Sequence, residues 1–120
     1  MADNPVIHFE IPADDMIRAK AFYESVFDWD IVHYGEYGYT VINTVGEGGK
    51  EGINGGLVTR GQPWIAPGVS VRVADIDAAL ARIEANGGKI LRPKQAIGIG
   101  FVAYFTDTED NVGAVLQLNS

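Results

Sequence analysis

His8 and Glu10 stand two residues apart in the run Ile7-His8-Phe9-Glu10-Ile11, whose alternation of polar and apolar types reads as a strand. Side chains two apart on a strand share a face. An imidazole and a carboxylate therefore stand side by side, opposite Phe9 and Ile11, which are expected to pack on a helix. Imidazole changes charge near neutral pH, so the two residues are the candidates for proton transfer or for hydrogen bonding to a ligand. The alternative for His8 is a half-buried ring bonded to a polar neighbour, with no catalytic role. His33, between Val32 and Tyr34, reads as a rim or surface residue. Arg72 holds a place in the second half of the chain similar to that of Glu10 in the first. The two are expected to form a structural ion pair; the alternative is that Arg72 waits for an anionic ligand.

Other chemistries find little support. The chain has no cysteine, hence no disulfide, thiol nucleophile or thiolate metal site. No G-x-S-x-G motif is present, and neither Ser25 nor Ser70 has an evident His/Asp partner. The glycine-rich stretch 46–52 leads into no helix and lacks a following GK[ST], so it reads as a mobile hairpin loop rather than a phosphate cradle. Asp14 and Asp15 read as a helix cap, and Glu109 and Asp110 as part of a turn. A net charge of −7 with scattered basic residues argues against nucleic acid and anionic membranes as partners. With no signal pattern and no apolar run of membrane length, a soluble cytoplasmic protein is expected.

The elements that must position these residues occur twice. The strand at 6–11 is followed by an acidic pair and Met16 to Glu24; the strand at 69–73 is followed by Asp75 and Ile76 to Glu84. Asp15 and Asp75 lie 60 residues apart in a chain of 120, so one supersecondary unit is used twice. In the first copy Pro12 is expected to end the strand, and Ala19, Phe22, Tyr23, Val26 and Phe27 form the apolar stripe of the helix. Strands at 29–34, 39–45 and 53–59 follow, with Gly35 and Gly38 bracketing a turn. In the second copy Ile76, Ala79, Leu80 and Ile83 make the stripe, and Asn86-Gly87-Gly88 stops the helix. A strand at 89–92, a loop at 93–100 and strands at 101–106 and 112–118 complete it. The pattern predicts a single α+β domain of two βαβββ modules, about 5–60 and 68–120, joined by a linker at 61–67.

The segments His8 to Asp15, Ala19 to Glu24 and Ala103 to Asn111 resemble the glyoxalase/bleomycin-resistance/dioxygenase superfamily, also called the vicinal oxygen chelate superfamily. The resemblance covers nearly the whole chain. It implies a cup-shaped mixed sheet with helices on the outer face. In catalytic members of the superfamily the cup holds a divalent metal on ligands from the first and last strand of each half. Those positions fall here on His8, on or beside Gly56, on Ser70 and on Ala114, so His8 is the only family ligand that survives. A divalent ion normally needs three or more imidazole, carboxylate or thiolate ligands. Metal is accordingly expected to be absent and no cofactor is expected.

The resemblance then implies a protein that binds a small organic molecule in the cup. His8 and Glu10 are the candidates for catalysis, and Asn54, Ser70, Arg72, Tyr39, Trp64 and Tyr104 for ligand contact, with core packing the alternative for the aromatics. Val58, Val112 and Leu116 line the same face, and the loop from Lys94 to Gly100 is the expected lid. The alternative is a zinc-, nickel- or manganese-dependent lyase or isomerase related to lactoylglutathione lyase, using a site reorganised around His8 and Glu10. A third possibility is an interaction module whose cup is filled. Exposed strand edges in duplicated halves lead us to expect a homodimer.

Overall fold

The computed structural model describes residues 3–35, 38–46 and 51–119. Strand, helix and three strands follow one another twice. The first set is β1 (Val6–Ala13), α1 (Met16–Val26), β2 (Asp30–Tyr34), β3 (Tyr39–Asn43) and β4 (Gly55–Thr59). The second is β5 (Gly68–Arg72), α2 (Ile76–Ala85), β6 (Lys89–Ile97), β7 (Gly100–Thr106) and β8 (Val112–Leu118). This is the expected α+β fold of two βαβββ modules. The described residues gather into two compact units, residues 8–67 and residues 68–119 together with 3–7.

In the first unit the strands lie in the order β2-β3-β4-β1, with β1 parallel to β4 and the other pairs antiparallel. Ala13, Ile31, Ile42 and Leu57 form the buried core, joined by Phe9, Ile11, Met16, Ala19, Tyr23 and Trp29. Phe9 and Ile11 thus pack with the helix residues, and alternation sends His8 and Glu10 to the other face. Asp15 caps α1 by accepting from the Arg18 N–H at 3.0 Å.

Two expectations for this unit are corrected. Pro12 does not end β1: pairing runs on through Pro12 with Val58 and Ala13 with Thr59. Proline removes a donor but keeps its carbonyl and an extended-compatible φ. The apolar stripe of α1 is also narrower than its sequence. Ala19 and Tyr23 turn inward with Met16, whereas Phe22, Val26 and Phe27 are 58%, 54% and 46% exposed. Trp29 explains part of this, because its ring stacks on both Tyr23 (5.3 Å) and Phe27 (4.8 Å) beside the helix.

In the second unit the order is β5-β8-β7-β6, with β5 parallel to β8. Val73, Ile76, Ala79, Ala103 and Val115 form its core, flanked by Leu80 and Ile83 of the expected stripe. Asp75 caps α2 through the Ala78 N–H, and the Gln117 side-chain oxygen accepts from the Ile76 N–H at 2.8 Å. The helix stops where expected. Gly87 takes φ +96°, and the Gly88 N–H returns to the Ile83 carbonyl at 2.9 Å.

The loop expected at 93–100 is mostly strand. β6 continues through Gln95, Ala96 and Ile97, paired with Val102, Phe101 and Gly100. Pro93 stands where the register shifts, on the outermost strand of this set, which is where a sheet tolerates a missing donor. The segment Lys94–Gly100 is therefore a hairpin and not a lid. β8 has its expected bounds, and the other strands begin or end one or two residues from theirs. Of the glycine-rich loop 46–52, residues 47–50 lie outside the described residues, as do 36 and 37 of the Gly35–Gly38 turn. No helix among the described residues is long and apolar enough to cross a membrane.

Candidate functional site

The helix-free face of the first unit holds the chain's imidazole–carboxylate pair. β1 carries His8 and Glu10 there, and the β1/β4 register sets Glu10 opposite Gly56. His8 Nε2 lies 3.2 Å from Glu10 Oε1, with the two side chains 33% and 14% exposed. Glu10 Oε2 is buried and accepts no hydrogen bond among the described residues. A Cβ at Gly56 would collide with that same Oε2. On the opposite face, a Cβ at Gly55 would collide with the Phe9 ring. The two glycines of β4 thus make room for two consecutive side chains of β1, one on each face.

This arrangement has definite chemical capacity. One carboxylate oxygen holds the imidazole in place. The other keeps its lone pairs while removed from water, and an unsatisfied buried acceptor of that kind costs about 1–3 kcal/mol. A ligand hydroxyl or amide hydrogen would satisfy it.

The metal implied by the fold fits these residues poorly. The fourth-strand position is glycine, its space taken by Glu10 itself, and the second-half positions are Ser70 and Ala114. Among the described residues no three His, Cys, Asp or Glu side chains cluster to hold an ion. His8 and Glu10 supply two donors and already face each other.

The other candidates are placed as follows. Glu10, expected to pair with Arg72, has the His8 imidazole 3.2 Å from its Oε1. Asn54 stands just before β4, and its side-chain oxygen accepts from the Thr44 and Val45 N–H groups at 2.9 and 3.2 Å, so it closes the β3–β4 connection. Tyr39 opens β3, half exposed, with its ring 5.4 Å from that of Tyr34. Trp64 is buried, and its carbonyl accepts from the Gly61 N–H at 2.7 Å. In the second unit Ser70 is buried opposite Ala114, and Arg72 is exposed opposite Leu116. Tyr104 lies beneath the Arg92 guanidinium, 5.9 Å from its centre. His33 is exposed, as expected of a rim residue, but its Nδ1 is 2.8 Å from the buried Thr40 hydroxyl. The close approach of Glu10 to Gly56 was missed from sequence. Its only signal is the Gly55-Gly56 pair in a strand, since glycine inside a strand marks close approach of another group.

No family model matches the chain, and no curated protein matches it in sequence. Solved structures do match in fold. A hypothetical protein from Bacillus halodurans C-125 aligns with a TM-score of 0.68 at 13% identity, covering 99% of this chain and 97% of that one. A glyoxalase/bleomycin resistance protein/dioxygenase superfamily member from Vibrio splendidus 12B01 gives 0.65 at 13% identity, over 98% and 100%. A methylmalonyl-CoA epimerase from Streptomyces coelicolor gives 0.63 at 16% identity, over 99% and 97%. These alignments run the full length of both partners, through both βαβββ modules, and on that ground the chain has the fold of the glyoxalase/bleomycin-resistance/dioxygenase superfamily.

Proposed function

We propose that this protein binds a small organic molecule on the helix-free face of the first module, against His8 and Glu10, without a resident divalent metal. The observation that carries this is the half-satisfied Glu10 carboxylate: Oε1 is held by His8 and Oε2 is buried with no partner. A ligand that donates one hydrogen bond and buries an apolar body beside Val41 and Val58 suits such a face. Sequestration of a ligand, or a proton transfer carried by the His8–Glu10 pair, are the two uses compatible with it. The absence of cysteine and the net charge of −7 fit a cytoplasmic protein.

The test is a ligand-detected NMR screen of neutral hydrogen-bond donors on protein purified without chelator or added metal, paired with elemental analysis. Hits are expected to weaken about tenfold in Glu10→Gln and in His8→Ala, in line with loss of a hydrogen bond to a charged group. One divalent ion per chain, lost in His8→Ala, would overturn the proposal in favour of the metal-dependent lyase or isomerase.

We also propose a homodimer. What supports it is the apolar surface that α1 leaves uncovered by its own sheet, Phe22, Val26 and Phe27.

A further inference from the structure

The opposite face of the same module holds a cleft that the His8–Glu10 site does not use. It lies where the first turns of α1 pass over β2, β3 and β4, and it is lined by Met16, Ile17, Lys20, His33, Thr40 and Leu57. Its volume is about 320 Å³, at the lower end of small-molecule sites. A second cavity of about 320 Å³ adjoins it, sharing Met16, His33, Thr40 and Leu57 and reaching on to Tyr39 and Gln62.

Carbon atoms make most of the first cleft. Leu57, 1% exposed, forms its floor, and Ile17, 83% exposed, stands at its mouth. An isoleucine that open to water beside an apolar hollow gains from anything apolar that covers it, at about 25 cal/mol per Å². The polar groups are few and all can donate. The Lys20 ammonium gives one hydrogen bond to Glu24 Oε1 at 2.8 Å, leaving two of its three donors. Glu24 is itself occupied, since its other oxygen accepts from the Ile31 N–H at 3.3 Å. The Thr40 hydroxyl, buried in the core side of β3, meets His33 Nδ1 at 2.8 Å. With that hydroxyl as the donor, the ring hydrogen sits on Nε2 and remains available.

We infer that this cleft is a second ligand site, for a small monocarboxylate with an apolar tail. The tail lies over Leu57, Met16 and Ile17, and the carboxylate accepts from Lys20 and His33. A cationic head would meet the Lys20 ammonium and be repelled, and a neutral head would forgo the charged hydrogen bond.

The test uses three probes that share one tail: octanoate, octan-1-ol and octylammonium, each below its micellar concentration. They are titrated into the full ¹⁵N-labelled chain. Octanoate is expected to shift the Ile17, Lys20, His33, Thr40 and Leu57 amides saturably, octanol about tenfold more weakly, and octylammonium not at all. Lys20→Gln should lower octanoate to the level of octanol, and Ile17→Ser, a change at an exposed position, should weaken both. His8→Ala should leave octanoate binding unchanged, which separates this site from the one proposed above. Equal binding of all three probes, no saturable shift at these residues, or shifts centred on Phe22 and Phe27 would each overturn the inference.

Discussion

At the scale of single residues, the Glu10 carboxylate occupies the space that a side chain at Gly56 would need. Glycine serves here for its missing side chain rather than for its backbone freedom, because β4 is ordinary extended strand at that point. An added methyl must move Glu10, and moving Glu10 must disturb its 3.2 Å contact with His8. Gly56→Ala should therefore destabilise the protein by no more than about 1 kcal/mol, because the group displaced is the free end of a flexible side chain. In a Glu10→Ala background the same change should cost much less, because the space is then free. A urea-denaturation cycle reads this directly. A coupling of at least about 0.5 kcal/mol is expected for groups in contact, and strict additivity would mean that the carboxylate does not occupy the Gly56 space in solution. His8 gives a second readout: its ring resonances should shift in Gly56→Ala as they do in Glu10→Ala.

At the scale of elements, the β7–β8 connection shows how one side chain can hold a turn. Asp107 accepts from the Asn111 N–H at 2.9 Å, the Asn111 side chain at 3.1 Å and the Glu109 N–H at 2.8 Å. The Asn111 backbone and side-chain hydrogen bonds, followed by that from Glu109, hold its carboxyl below the ordinary carboxylate range. A group whose folded pKa is depressed adds stability above its unfolded pKa, about 3.9 for Asp, and that stability is lost as pH falls through the folded value. The urea midpoint of the native protein should thus exceed that of Asp107→Asn at neutral pH, with the gap closing as pH falls below about 4. A gap that does not change with pH would show that the charge contributes nothing. This turn was legible in the sequence because Asp, Asn and their spacing are local chemistry. So were the helix cap at Asp15 and the stop at Gly87. What escaped was set by distant partners. Lys89–Ile97 became one strand, despite Pro93, because pairing with β7 resumes at Gln95 beyond the register shift. Half of the α1 stripe faces water because Trp29 fills part of the space beside the helix. In the candidate site His8 and Glu10 could be paired by alternation alone. The room that Gly56 makes for the Glu10 carboxylate could not be read that way, since it depends on which strand pairs with β1.

At the scale of the whole molecule, association is decided between apolar surface and charge. Phe22, Val26 and Phe27 present three large exposed side chains along one helix, and Tyr23 and Phe22 meet edge to face at 5.1 Å beside them. Aromatic surface of this kind is what interface cores are enriched in. Against it stands the net charge of −7, which each copy carries into any complex. Two like-charged chains repel over roughly a Debye length, about 8 Å at physiological ionic strength and longer in dilute buffer. The proposed homodimer should consequently tighten as salt is raised, because screening removes repulsion while apolar burial is kept. Sedimentation equilibrium between about 20 and 500 mM sodium chloride would measure this, the screening length falling severalfold over that range. Phe22→Glu should yield a monomer at every salt concentration, with its fold unchanged by circular dichroism since that position is 58% exposed. A dimer that instead loosens with salt would place complementary charges, and not α1, at the interface. A monomeric mass of the native chain at all concentrations would remove the dimer altogether.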